Sequence, residues 1–222
     1  MNFDINNPLY NDNRNYAYPE GHSEFRREYR YFIDSIPSGS RVIDLGCGDG
    51  SLIELLKKDN NCDVTGIELA DSGVHSAQKR GLNVIKGRID ETLPFAQDEF
   101  DFAICNTTLQ MVMYPETLLK EMIRISEKQI ISFPNFAFYK NRFQLFFGGR
   151  MPARGLFGYQ WYNTGHIHQL SCTDFLSLLY KLRPGARATL LNTSENDFLR
   201  NFLIGKFPNL FHIFPIYLIS KS

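Results

Sequence analysis

Residues 41–50 read Arg-Val-Ile-Asp-Leu-Gly-Cys-Gly-Asp-Gly. Val42 to Leu45 is a short apolar run interrupted only by Asp44, the composition of a strand buried on both faces. It runs into Gly46, Gly48 and Gly50, and from Ser51 the residues Leu52, Leu55 and Leu56 recur at helical spacing. Strand, glycine turn and helix together suit a bound nucleoside. Glycine permits positive φ and leaves no side chain between backbone and ligand, while the helix start offers N–H groups that the helix itself does not use.

The next strand, Asp63 to Ile67, leads into Glu68. An acid about 20 residues past the glycines can accept hydrogen bonds from both ribose hydroxyls. Two cofactor classes use such a site. A dinucleotide dehydrogenase prefers G-x-G-x-x-G, but here the third glycine comes one residue early and Ser51 stands in the expected place. Asp44 just before the turn repels a pyrophosphate and suits the cationic amino acid end of S-adenosylmethionine. The residues therefore favour the sulfonium cofactor, with S-adenosylhomocysteine as its product.

Outward from this unit the pattern repeats. Helix Asp71 to Arg80, strand Asn83 to Lys86, strand Phe100 to Asn106, a helix after Pro115 and strand Lys128 to Phe133 follow in turn. Alternating strands and helices of this size imply right-handed crossovers and an α/β fold: a doubly wound, mostly parallel sheet with helices on both faces. Upstream, a helix is expected from Ser23 to Ile36, preceded by an Asn-rich tail or lid over residues 1–22. A single domain then spans 23–222, with an aromatic and basic insert at about 135–170. The insert's Phe143, Phe146 and Phe147 lie at helical spacing and predict a helix packed on the domain, the alternative being a surface for an acidic substrate or a protein partner that uses Arg142, Arg150, Arg154, Trp161 and Tyr162. Thr173-Asp174 reads as a cap for a helix carrying Phe175, Leu176, Leu179 and Leu182; Ala188 to Leu191 and Ile213 to Ser220 read as final strands pairing antiparallel at an edge.

Composition narrows the function classes. The 24 Lys plus Arg balance 24 Asp plus Glu, so no global field favours nucleic acid or an anionic membrane. Cys47, Cys62, Cys105 and Cys172 form no C-x-x-C pair, which fits a reducing compartment, and with no signal peptide or apolar span in view the expectation is a cytoplasmic protein.

The runs DLGCGDG, GIEL and LPFAQDEFDFAICN over residues 41–134 resemble the class I S-adenosylmethionine-dependent methyltransferases. More narrowly, FPNF, GGRMP and YQWYNTGHIH, within residues 40–182, resemble the MetW family of methionine biosynthesis. The resemblance implies a seven-stranded Rossmann-like methyltransferase fold and a transferase acting on a small acceptor. It also implies a link to methionine synthesis, with a homoserine O-acyltransferase as a possible partner; the alternative reading is a non-catalytic, cofactor-sensing regulator of that acyltransferase.

Carried over residue by residue, the resemblance places Gly46, Cys47 and Gly48 against the methionine part of the cofactor, Asp44 near its ammonium, Glu68 on the ribose and Leu69 on the adenine. Ile89 offers backbone contacts, and Asn106, with Thr107 and Thr108, stands where substrate and methyl group meet. The family's acid after Gly87 is replaced by Arg88, with Asp90 as a substitute. For proton transfer the candidates are His166 and His168, with His168 the better match to the family run. His166, His168 and Cys172 lack the second cluster a metal site needs, so no metal is expected.

Overall fold

The computed structural model describes residues 16, 26–156, 160–162, 164–193 and 198–221. The tail expected over 1–22 lies outside them except for Tyr16. Seven strands form one sheet in the order β3-β2-β1-β4-β5-β7-β6. They are β1 Arg41–Leu45, β2 Asp63–Glu68, β3 Val84–Lys86, β4 Phe100–Asn106, β5 Ser126–Ser132, β6 Arg187–Leu190 and β7 Ile216–Ser220. The first five pair in parallel, and β7 runs antiparallel to both β5 and β6.

Alternation along the strands sends side chains to two cores. On one face Val42, Phe102, Ile104 and Ile130 pack with α1 (Tyr29–Ser35), α2 (Ser51–Asn60) and α3 (Asp71–Lys79). On the other, Ile43, Leu45, Ala103 and Ile131 pack with α4 (Pro115–Ile125) and α6 (Cys172–Leu182). Burial on both faces explains why the strands read as unbroken apolar runs. The chain winds outward from β1 through β2 to β3, then returns to place β4 on the other side of β1. That reversal leaves a crevice beyond the carboxyl ends of β1 and β4, where sheets of this type bind ligands.

The two final strands pair antiparallel at one edge of the sheet, as expected, with β7 between β5 and β6, because Ile216, Tyr217 and Ile219 are apolar enough to be buried while β6 is only half-buried. Two local expectations are corrected. The cap of α6 is Ser171, whose hydroxyl accepts from Asp174 N while Asp174 accepts from Ser171 N, a reciprocal capping box. The insert does form a helix, α5 (Tyr139–Gly148), but its aromatic stripe faces outward. Phe143, Phe146 and Phe147 are 57%, 82% and 73% exposed, and the residue that α5 buries is Asn141.

The root of the insert is pinned by Asn135, which is buried. Its Nδ2 donates to the carbonyls of His212, Asn209 and Pro208 at 2.6, 3.1 and 3.4 Å, and its Oδ1 accepts from Ala137 N at 3.0 Å. The backbone adds Asn135 N to Ile213 O and Phe136 N to Leu170 O. These bonds fasten three distant segments, including α8 (Pro208–Phe211), which follows α7 (Phe198–Lys206). Truncating Asn135 leaves those carbonyls without their donor, each at a cost of about 1–3 kcal/mol if no water replaces it. Asn135→Ala is therefore expected to lower the melting temperature by about 5–10 °C, read by differential scanning calorimetry; an unchanged value overturns the role given to this side chain.

Candidate functional site

Gly46 and Gly48 adopt φ of 82° and 59°. A Cβ on Gly46 would stand 2.5 Å from the Thr108 side chain, and one on Gly48 would stand 3.0 Å from the ring of Tyr16. The turn is therefore restricted to glycine both by conformation and by what approaches it. Gly46 N and Cys47 N donate to Ile67 O at 2.8 and 3.1 Å, tying the turn to the end of β2.

Glu68 completes the tie. Its Oε2 accepts from Gly48 N at 2.7 Å, and its Oε1 accepts from Leu69 N at 2.9 Å and Ala70 N at 2.8 Å. The start of α3 comes close because residue 73 is glycine: a Cβ there would meet Gly48 O at 2.8 Å and Glu68 Cγ at 3.0 Å. Gly73, inside a helix, was the sequence signal for this approach. Asp49 is engaged elsewhere, accepting from Ser51 N and Ser51 Oγ and pairing with Arg80.

Beneath the turn lies Asp44, 3% exposed, whose carboxyl makes no hydrogen bond to any described residue. Burial, with Glu68 nearby, pushes its pKa up to about 7. Cys47 is raised by the same burial and by Asp44 and Glu68, so its thiol stays neutral. These groups line an open cleft of about 980 Å3, counting the part open to solvent. The cleft brings together Asp44, Gly46, Cys47, Gly48, Glu68, Leu69, Ile89 and Asn106, all eight cofactor residues expected from sequence.

At the β3 end of the cleft Arg88 is bound to Asp90 through Nε and Nη2, at 3.1 and 3.0 Å. The Asp90 carboxylate also accepts from Met113 N and Tyr114 N, so it is anchored as a structural acid joining two loops. At the β4 end Asn106 Oδ1 accepts from Ser132 Oγ at 2.6 Å, and Thr107, at φ 52°, is buried and donates its N–H to Ser132 O. Tyr16, Arg26, Tyr29, Met111 and Met113 also line the cleft. Tyr16 belongs to the tail expected as a lid, but spacing gave no indication of the other four, because they come from loops and from a helix whose role in sequence was to supply core.

His168 does not line the cleft. Its backbone N–H, like that of Ile167, donates to Gln110 O, and its Nε2 is buried without a hydrogen bond among the described residues. Gln110, wholly buried, links this segment to the cleft wall by donating from Nε2 to Thr107 O at 2.6 Å. His166 lies beside it, with its Nε2 3.4 Å from Gln110 Nε2. No group of three or more His, Cys, Asp or Glu side chains among the described residues comes together as a metal site. No helix among them is long and apolar enough to cross a membrane.

Known proteins resemble this chain in both sequence and fold. A family model described as "Methionine biosynthesis protein MetW" matches residues 26–219. The bifunctional methionine biosynthesis protein MetXA/MetW of Rhodopirellula baltica is 36% identical over 160 residues, covering 68% of this chain and 26% of that protein. The chain thus spans about a quarter of that relative's length. Among solved structures, a possible histamine N-methyltransferase from Thermotoga maritima aligns with a TM-score of 0.59 at 20% identity, over 88% of each chain. The plantazolicin methyltransferase BpumL, in complex with S-adenosylhomocysteine, aligns with a TM-score of 0.58 at 20% identity, over 87% of this chain and 80% of that one. At such identities the structures establish a shared Rossmann-like methyltransferase fold, while the match over 26–219 goes further: the chain belongs to the MetW family, named for methionine biosynthesis.

Proposed function

We propose that the cleft binds S-adenosylmethionine and that the protein transfers its methyl group to a small acceptor at the β4 end. The observation carrying this reading is Asp44: a buried carboxyl that makes no hydrogen bond to any described residue, under a glycine turn closed by Glu68. A cationic amino acid end supplies what Asp44 lacks, and the glycines leave room for it. Glu68 reaches the ribose by exchanging its bond to Gly48 N for hydroxyl donors. Leu69 and Ile89 give the base apolar contact, and Arg88, held by Asp90, presents N–H donors where the wider family has an acid. When bound, the sulfonium supplies an electrophilic methyl group for in-line displacement. Asn106, Thr107 and Met111 then position the acceptor and exclude water, which is the main help such a displacement needs. With His168 outside the cleft, no proton step is assigned to it.

Two measurements test this reading. Calorimetric titration with S-adenosylmethionine and S-adenosylhomocysteine is expected to give micromolar binding, weakened about 10- to 100-fold by Glu68→Ala; absence of binding, or no change in the variant, overturns it.

The second test is pH. An unfolded Asp titrates at about 4, so in the folded cleft ionising Asp44 is unfavourable, and its contribution to stability, full below that pH, is lost as pH rises through about 7. A bound ammonium reverses this by holding the carboxylate ionised. Above pH 7 the charge is already present; below it, binding must expel a proton. Affinity is expected to fall toward about tenfold per unit as pH drops from 7 to 6, with proton release visible as a buffer-dependent heat. Asp44→Asn binds more weakly and without that dependence; a pH-independent wild type excludes the contact.

A second reading is favoured by the fused MetXA/MetW relative, in which the matching region shares a polypeptide with another activity. Here the protein senses the cofactor and regulates a homoserine O-acyltransferase. The acyltransferase rate, measured with this protein added, with and without S-adenosylmethionine, is expected to change several-fold; a rate that does not respond removes this reading and leaves the first intact.

A further inference from the structure

Helix α5 displays an apolar face that no described residue covers. Phe143 stacks on Phe147 at 5.6 Å between centroids and Phe146 meets Phe147 edge-on at 4.8 Å, yet all three are more than half exposed. Met151 extends the surface, with its carbonyl accepting from Gln144 Nε2. The helix that carries these rings is firmly held. Asn141 is wholly buried and donates to Arg154 O at 3.2 Å, Ala153 N donates to Gln144 Oε1, and Asn135 fixes the root. The exposed face is therefore a preformed platform, which spares a partner the ordering entropy of a mobile loop.

Its charge says what it fits. Residues 135–169 contain Lys140, Arg142, Arg150 and Arg154 and no acid, although the whole chain is neutral with 24 charges of each sign. All four cations are exposed. Aromatic rings, Met and Arg without Asp or Glu are the makeup of the buried centre of protein interfaces. A second copy of this chain would set one cationic rim against another, which like-charge repulsion disfavours. A bilayer is a poorer match, because α5 has only 10 residues and ends at Gly149 in the left-handed conformation.

We propose that the Phe143–Phe146–Phe147 face of α5, with its basic rim, docks an acidic, apolar-pocketed face of a protein partner. The proposal rests on the second reading above, which makes that partner the homoserine O-acyltransferase. The same insert is joined to the cofactor cleft, since Ile167 N and His168 N both donate to Gln110 O and Gln110 donates to Thr107 in the cleft wall.

The test compares the full chain with Phe146→Ser/Phe147→Ser and with Arg150→Glu, by calorimetry and sedimentation against the acyltransferase of the same organism. Both variants should bind S-adenosylhomocysteine as the wild type does and melt within about 2 °C of it, as expected for exposed positions. The double variant is expected to bind the acyltransferase at least tenfold more weakly. Arg150→Glu should weaken it several-fold, and its binding should depend less on salt. Undiminished binding by the double variant overturns the surface while leaving the partner reading standing. If the wild type neither binds the acyltransferase nor alters its rate, the partner reading fails and the proposed occupant with it. Self-association of the wild type, or binding to vesicles containing phosphatidylserine, that is lost in the double variant without loss of acyltransferase binding likewise overturns the proposal.

Discussion

The carboxylate of Glu68 is the junction on which the site depends. By accepting from Gly48, Leu69 and Ala70 it fixes the turn after β1 and the turn after β2 with one side chain, at distances of 2.7 to 2.9 Å. Charge-assisted bonds of this kind are roughly twice as strong as neutral ones, and here all three donors are backbone groups the turns would otherwise leave unmatched. The close approach of α3 depends on this geometry, since Gly73 packs its backbone against Gly48 O and the Glu68 methylene. Glycine inside a helix weakens it by roughly 0.5–1 kcal/mol relative to alanine. The fold tolerates that cost at Gly73 because a larger residue would separate the two turns.

A second acid in the same cleft sets up an electrostatic conflict. Asp44 and Glu68 both face the space under the glycine turn, and each ionised carboxylate disfavours the other. Glu68 has N–H groups to hold its charge, whereas Asp44 has none among the described residues, and burial, with Glu68 second, raises its pKa. The asymmetry makes Asp44 the carboxyl whose ionised form a cation placed in the cleft would favour most. Arg88 does not relieve it, because its guanidinium is bound to Asp90 at the far end.

Most of the sheet was legible in the sequence because a doubly buried strand leaves a strong signal: β4 was expected at Phe100 to Asn106 and lies there. The glycine turn and Glu68 were legible for a similar reason, since few residue types satisfy positive φ or close backbone approach. What misled was the assumption that a helix's apolar face is its buried face. In α5 the stripe of Phe143, Phe146 and Phe147 is real, but the sheet's two faces are already covered by other helices, and the polar Asn141 makes the inward contact. The cap of α6 was placed two residues late because Thr173-Asp174 has the composition of a cap, whereas Ser171 has the geometry. Placing β7 inside the sheet needed knowledge of pairing partners far apart in the chain, such as Ile130 with Leu218, which no local pattern carries.

Gln110 shows how the two halves of the molecule are joined. Its backbone carbonyl receives two N–H groups from the insert, while its side chain, with no exposed surface, holds the carbonyl of Thr107. Thr107 has a left-handed backbone that a β-branched residue adopts only under constraint, and it lies beside Asn106 and Thr108 on the cleft wall. The constraint is supplied from behind, by Gln110 and Ser132, and so ultimately by the segment carrying His166 and His168. Contiguity alone does not transmit a signal, since coupling requires an element with two arrangements that both sites bias. The turn from Thr107 to Met111 meets the structural half of that condition: it is short, strained at Thr107, and held from the insert on one side while it faces the cleft on the other.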